Sequence, residues 1–292
     1  MSKAPRIIAE IGYNHKGDME IAREMIQTAA TYCKVDIVKF QKRCTRELLT
    51  PEEYNAPHPQ AENSYGPTYG AHRDYLEFNA EQHRQLQQWC REAGVEYSTS
   101  VWDVTSAREI CELEPSLIKI PSACNLNKPM LTWICDHFGG EIHLSFGMTG
   151  KDEEEQIVSF FEQKGRARDL VLYSCTSGYP VPFEDVCLLE ITRLKERFGN
   201  RVKAIGFSGH HLGIAVDAAA VALGAEFIER HFTLDRTWKG TDHAASLEPD
   251  GVRKLARDCR AVAKALTYKQ EDVLDIEKVQ RNKLKKNQIK WQ

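Results

Sequence analysis

Two lysines, two histidines and a set of hydroxyl side chains stand at or just behind apolar runs of this chain, and together they could handle an anion and a metal. Lys39 in VKFQ and Lys119 in IKIPS lie inside β-rich runs, where a long cationic side chain must reach a polar rim or find a carboxylate. With Ser122, Ser145, Thr176, Ser177 and Ser208, two inward lysines would make a donor cluster for a phosphate and a carboxylate. Two other roles fit the same lysines: a buried ion pair with Glu10 or another strand carboxylate, or a Schiff-base nucleophile. Spacing alone does not choose among them. His210 and His231, with an acid such as Glu10, Glu229 or Asp242 nearby, can hold a divalent metal with positions open to water and substrate oxygens. The plainer alternative is a pair of hydrogen-bonded rim histidines. Glu10 and Asp242 are candidates for proton handling or for gripping sugar hydroxyls, and equally for salt bridges to the lysines.

These residues need a scaffold that gathers distant strand ends. Eight apolar runs alternate with helix-like segments: Arg6–Gly12, Ile37–Gln41, Glu96–Val101, Leu117–Ser122, Glu141–Gly147, Asp169–Cys175, Lys203–Gly209 and Phe227–Leu234. The alternation predicts an α/β fold, a (β/α)8 TIM barrel, with chemistry at the C-terminal ends of its strands. Helix signals between the runs agree. Asp18 is a possible N-cap, with Ile21, Met25 and Ala29 at helical spacing. Asn79–Ala93 opens on an Asn cap and stops at Gly94, and Glu184–Phe198, Gly213–Leu223 and Pro249–Leu266 complete the later helices.

The 292 residues suit one barrel and leave little for a second large domain. We expect the barrel over residues 1–266, a long loop at 44–78 and a basic tail at 267–292. The Cys44–Phe78 loop, containing YGPTYGAHRDYLEF, reads either as a lid over a polar ligand or as a structural loop. The tail, ending EKVQRNKLKKNQIKWQ, reads as a solvated or docked helix or a partly disordered segment. A formal net charge of -3 gives no global attraction to nucleic acid or anionic lipid. Nine scattered cysteines without a CxxC pair read as reduced thiols, and the absence of a long apolar stretch leads us to expect a soluble, cytoplasmic protein.

The ordered motifs AEIGYNHKGD (9–18), VKFQ (38–41), TYGAHRDYLEF (68–78), YSTSVWD (97–103), IKIPSACN (118–125), SFGMT (145–149), SCTSGYP (174–180), IGFSGHH (205–211), GAEFIERHFTLD (224–235) and TDHAASLEPD (241–250) resemble the catalytic barrel of the N-acetylneuraminate (sialic acid) synthases over roughly residues 6 to 266. Each motif is weak alone; ten in order are specific. That family condenses phosphoenolpyruvate with the open-chain aldehyde of an N-acetylmannosamine-type sugar, using manganese or magnesium, to give phosphate and a 2-keto-3-deoxy sugar acid. The resemblance implies that Lys39, Lys119, Ser122, Ser177 and Ser208 bind phosphoenolpyruvate and that His210 and His231 hold the metal. Gln41, Tyr179 and Asp242 would contact the sugar, Thr99 would line the pocket and Glu10 would assist proton or water chemistry.

The chain departs from the family pattern at several places. Cys124 stands where the family usually has an acid that contacts the amino sugar, which points to a different acceptor, such as a diacetamido-trideoxy sugar or a phosphorylated mannose. Gly209 replaces a common Asp before the first histidine, and Ser177 a frequent Asn. Family members often carry a C-terminal domain resembling antifreeze proteins, whose arginine reaches the partner subunit's site. The sequence stops before such a domain, so Arg73, the basic tail or a separate chain would supply that cation, in what we expect to be a homodimer. A Schiff-base lyase acting on a sugar acid and a non-catalytic sugar-acid-binding barrel are the competing functions.

Overall fold

The computed structural model describes residues 4–286. Its eight strands are β1 (Arg6–Gly12), β2 (Ile37–Lys42), β3 (Glu96–Val101), β4 (Leu117–Ile120), β5 (Glu141–Ser145), β6 (Leu170–Cys175), β7 (Ala204–Gly209) and β8 (Phe227–His231). They pair in parallel in sequence order, and β8 closes on β1, which makes the expected (β/α)8 barrel. β4 ends earlier than its apolar run because Pro121 opens a 3-10 turn over Ser122–Cys124. β5 and β8 are likewise shorter than their runs, ending at Ser145 and His231.

Eight major helices alternate with the strands: α1 (Met19–Thr31), α2 (Ala80–Ala93), α3 (Val104–Cys111), α4 (Lys128–His137), α5 (Lys151–Gln163), α6 (Glu190–Phe198), α7 (Ala215–Ala222) and α8 (Pro249–Ala265). The carboxylate of Asp18 accepts from the backbone N–H groups of Glu20 and Ile21, and Asn79 with Gln82 forms a reciprocal capping box. α2 stops at Gly94, whose φ of 75° is left-handed. The helix expected from Glu184 starts only at Glu190, because a 3-10 turn at Phe183–Asp185 is followed by Cys187 at a φ of 50°. The Cys44–Phe78 insertion is also more regular than a loop, with helices at Thr45–Leu48, Pro51–Asn55 and Tyr69–Leu76, the last capped by Thr68. In the tail, a helix at Asp275–Leu284 buries no residue, and residues 287–292 lie outside the described residues. Among the described residues, no helix is long and apolar enough to cross a membrane.

The strands present two faces, and the faces differ in chemistry. Outward residues such as Val38, Phe40, Ile118 and Leu172 pack with helix residues such as Met25, Ile26, Ile134 and Leu255 in one continuous apolar layer. Burial of each large apolar side chain contributes about 1.5–3 kcal/mol. Inside the barrel a smaller plug joins Ile8, Ile37, Leu117, Val171, Tyr173, Ala204 and Phe227. Gly206 stays bare because a Cβ there would come within 2.7 Å of the Tyr173 ring. Two residues further along the same inward rows the chemistry changes to Glu10, Lys39, Lys119 and Glu229.

Arg230, between Glu229 and His231, takes the opposite phase and enters the helix layer. Its guanidinium donates to Asp217 of α7 at 2.5 Å, to the carbonyl of Gly213 at 2.9 Å and to that of His211 at 2.5 Å. Both charged groups are nearly inaccessible, and their contacts tie the loop after β7 to β8. Replacing Asp217 with Ala leaves a guanidinium buried without its counter-charge. We expect a loss of about 3–5 kcal/mol in urea unfolding followed by circular dichroism, and a loss below about 1 kcal/mol would show that the pair does not hold this loop.

Candidate active site

The inward rows converge on a cavity of about 410 Å³ at the C-terminal mouth of the barrel. It is lined by Glu10, Lys39, Gln41, Arg73, Lys119, Ser122, Ser145, Ser177, Tyr179, Ser208, His210, His231 and Asp242 from the sequence-derived set. The period-2 alternation of a strand explains the grouping. Glu10 pairs in register with Lys39 and His231, Ser100 with Lys119, and Ser208 with Glu229, so each row carries its polar group to the same height.

At the floor, four charges alternate in sign. Lys39 Nζ contacts Glu10 Oε2, lies 3.7 Å from Glu229 Oε1 and donates to Ser100 Oγ at 2.6 Å. Lys119 Nζ donates to Glu229 Oε2 at 3.1 Å and sits 3.5 Å from the centroid of the Tyr173 ring. Ser208 adds a hydrogen bond to Glu229 Oε1 at 3.2 Å, and Gln41 donates to Glu10 Oε1 at 3.0 Å. Burial opposes ionisation of Glu229, but Lys119 and Lys39 outweigh it and hold the carboxyl well below its usual range. For Glu10 burial wins over the attraction of Lys39, and its affinity for a proton rises. Burial also makes the Lys119 ammonium a stronger acid than usual, against the pull of Glu229.

Beside this chain of charges the hydroxyls form a cradle. A Cβ on Gly147 would lie 2.3 Å from Ser177 Oγ and 2.7 Å from Ser122 Oγ, so both hydroxyls close on bare backbone that no side chain could share. Such a ring of small donors next to lysines suits an oxyanion.

The two imidazoles line the same cavity, with ring centroids 5.5 Å apart and the Tyr179 ring 4.4 Å from that of His210. His210 Nδ1 meets the carbonyl of Thr176 at 2.9 Å. A carbonyl can only accept, so Nδ1 carries the proton and Nε2 keeps its lone pair. Burial pushes His210 down to about 4, which leaves it neutral near pH 7. His231 Nδ1 is buried and has no hydrogen-bond partner. A neutral imidazole lone pair and an unpartnered buried ring nitrogen fit a divalent cation. Among the described residues no group of three or more His, Cys, Asp or Glu is placed to hold a metal, so water and substrate oxygens would have to complete its shell.

Three residues expected at the site lie elsewhere. Thr99 pairs with Phe40, faces the helix layer and donates to Tyr97 Oη at 2.5 Å; its neighbour Ser100 lines the cavity. Cys124 packs into the apolar layer with its thiol pushed up by burial to about 12, while Ala123 faces the cavity. Thr176 turns its hydroxyl to the carbonyl of Asp185 and meets His210 only through its own carbonyl. Gly209, read as a missing strand-end carboxylate, faces the His211 and Phe207 rings, and a Cβ there would come within 2.8 Å of both. Conversely Glu229, weighed from sequence only as an acid near the histidines, is the carboxylate shared by the lysines. Its place two residues before His231 on one strand was the available signal. The Cys44–Phe78 insertion and its neighbours add Tyr13, Arg43, His58, Tyr69, His72 and Trp102 to the lining. It is anchored across the mouth by Tyr65 Oη donating to the carbonyl of Lys239 at 2.5 Å, and by the N–H of Gly240 donating to Asn63 at 3.2 Å.

Comparison with known proteins places this geometry in a family. The profile of the NeuB family matches residues 25–271. Human N-acetylneuraminate-9-phosphate synthase is 38% identical over 97% of this chain and 77% of its own length. N,N'-diacetyllegionaminic acid synthase of Campylobacter jejuni is 34% identical over 90% of this chain and 78% of its own. The crystal structure of the N-acetylneuraminic acid synthetase of Leptospira borgpetersenii superposes with a TM-score of 0.81 at 29% identity, covering 98% of this chain and 94% of that one. A family profile that spans most of the barrel, and synthases of sialic-acid-like sugars that align with nearly all of it, show that the chain belongs to the NeuB family.

Proposed function

We propose that this protein condenses phosphoenolpyruvate with an N-acylamino aldose to give a nonulosonic, sialic-acid-like 2-keto-3-deoxy acid and phosphate. The observation that carries the reading is the cavity itself. It gathers two buried lysines, a hydroxyl cradle and two imidazoles around one space, with Glu10, Gln41 and Asp242 converging near Gly12. Family membership supports a condensation that forms this class of sugar acid.

Phosphoenolpyruvate would lie against the lysines and the hydroxyl cradle. Its phosphate meets Ser122, Ser177 and the backbone at Gly147, and its carboxylate meets the ammonium groups of Lys119 and Lys39. The aldose would enter with its aldehyde toward His210 and His231 and its hydroxyls toward Gln41, Tyr179 and Asp242. His210 and His231 are the residues that would hold manganese or magnesium, which when bound polarises an aldehyde oxygen. C3 of the enol then bonds to the aldehyde carbon, and water adds at C2 as positive character develops there. The resulting hemiketal phosphate loses phosphate by C–O cleavage. Glu10, with its raised proton affinity, is suited to exchange a proton with the new hydroxyl or with the attacking water. Glu229 orients both lysines, and its charge opposes loss of the proton from Lys119. The carboxylate contact of each lysine and the hydroxyl cradle nearby support an anion clamp over a Schiff base, whose trapping is tested below.

Three outcomes test this reading. Phosphate release should require phosphoenolpyruvate, an N-acylamino aldose and a divalent cation together, and release without the aldose would contradict the condensation. Changing His210 or His231 to Ala should abolish the metal-dependent rate while circular dichroism stays that of a folded barrel, since rim residues add little to the core. Full activity of either variant in chelator would remove the histidines from the metal's shell. Lys119→Ala should raise KM for phosphoenolpyruvate and lower turnover, since a charge-assisted contact contributes about 1.5–3 kcal/mol, or roughly ten- to over a hundredfold in kcat/KM. Unchanged steady-state constants would exclude Lys119 from the clamp, and borohydride trapping of the protein with a carbonyl substrate would point to the imine instead.

A further inference from the structure

The lumen beneath the cavity holds a histidine and a tyrosine, and both are tied to Lys119. His143 of β5 pairs in register with Lys119 and Val171, so it takes the inward phase and is buried there. Its Nε2 lies 3.5 Å from Glu141 Oε2, and Glu141 Oε1 accepts from Lys203 Nζ at 2.7 Å. A carboxylate can only accept, so the ring proton stands on Nε2 and Nδ1 is left as an acceptor. Tyr173 Oη fills that place, donating to His143 Nδ1 at 2.7 Å. Burial pushes His143 down to about 4 against the pull of Glu141, and burial also keeps the Tyr173 phenol protonated. The bond therefore joins two neutral groups near pH 7.

The consequence falls on the face of the tyrosine ring. Its hydroxyl is engaged by His143 and one edge lies against Gly206, where a Cβ would come within 2.7 Å, so the ring is held with its face to Lys119 Nζ, 3.5 Å from the centroid. That face is electron-rich and the ammonium is desolvated, the setting in which the attraction is greatest. The other groups around the ammonium are Glu229 of β8, which attracts it, Lys39 of β2, which repels it, and Cys175 of β6, which burial keeps a neutral thiol. Glu229 is shared with Lys39, so one carboxylate serves two cations. The ring supplies Lys119 with negative potential that the second lysine does not share.

We propose that Tyr173 is a positioning residue of the anion clamp, its ring face forming the platform on which the Lys119 ammonium is held, with His143 fixing the ring from below. The proposal rests on the phosphoenolpyruvate reading of the cavity and deepens it.

The test keeps the shape of the lumen and changes the charge distribution of the ring. It compares the wild type, Tyr173→Phe and a protein carrying a trifluorinated phenylalanine at the same position, whose fluorines withdraw density from the ring face. Two curves are followed against pH: carbamoylation of Lys119 by cyanate, which takes the neutral amine and is read by mass spectrometry, and calorimetric affinity for phosphoenolpyruvate without an acceptor. Relative to Tyr173→Phe, the fluorinated ring should lower the midpoint of Lys119 labelling by about one pH unit, and the alkaline loss of phosphoenolpyruvate affinity should move with it. Below both midpoints the affinities should converge, because Lys119 is then charged in either protein. Tyr173→Phe keeps the face but leaves His143 Nδ1 without its donor, so its curves should lie nearer the wild type than those of the fluorinated protein. Coincident labelling curves for the two phenylalanine proteins, with phosphoenolpyruvate bound by both, would sink only the platform. A shifted labelling midpoint without a shift in phosphoenolpyruvate binding would remove Lys119 from the clamp and Tyr173 from its positioning role. A shifted midpoint in proteins that bind no phosphoenolpyruvate at any pH would support the platform under Lys119 and sink only the phosphoenolpyruvate reading.

Discussion

Glu229 sits between two lysines inside a barrel, and much of the site depends on that single carboxylate. An ammonium in the lumen has lost its water, and without a counter-charge it would lose its proton instead. Glu229 lies 3.1 Å from Lys119 and 3.7 Å from Lys39, takes a further hydrogen bond from Ser208 and is itself held ionised by both cations. Glu10 and Ser100 complete the company of Lys39, and the Tyr173 ring that of Lys119. The formal charges of Glu10, Lys39, Glu229 and Lys119 sum to zero, which lets a parallel barrel carry four ionisable groups directly above an apolar plug.

Around this paired floor the other donors are arranged. The hydroxyls around Gly147 need no compensating charge and are free to face an anion. Burial leaves the imidazole of His210 uncharged against the opposing pull of the Thr176 carbonyl, which fixes the ring proton on Nδ1 and leaves the lone pair on Nε2. Outside the strands, Arg230 and Asp217 repeat the principle, a matched pair sealed in the helix layer that braces the loop bearing His210.

Much of this could be read from the amino-acid sequence. Eight β-rich runs separated by helical periodicity determine a barrel, because parallel strands joined by helices have few other ways to bury both sheet faces. Strand-end position located the lysines, the histidines, Glu10 and most of the hydroxyls, since residues two apart on a strand share a face. Caps at Asp18 and Asn79 and the stop at Gly94 were equally legible, being local chemistry.

What only the tertiary structure decided is phase and partnership. Thr99 and Ser100 differ by one position and face opposite layers, and the register with Phe40 and Gln41 alone assigns them. Cys124 and Thr176 lie beyond their strands, where a 3-10 turn and an irregular loop replace the alternation that would have placed them. Glu229 was visible as an acid, but its choice of two lysines over two histidines is a matter of angstroms across the barrel. Sequence determines which groups share a face, because strand period is a local property; which charges neutralise one another depends on distances that only closure of the barrel sets.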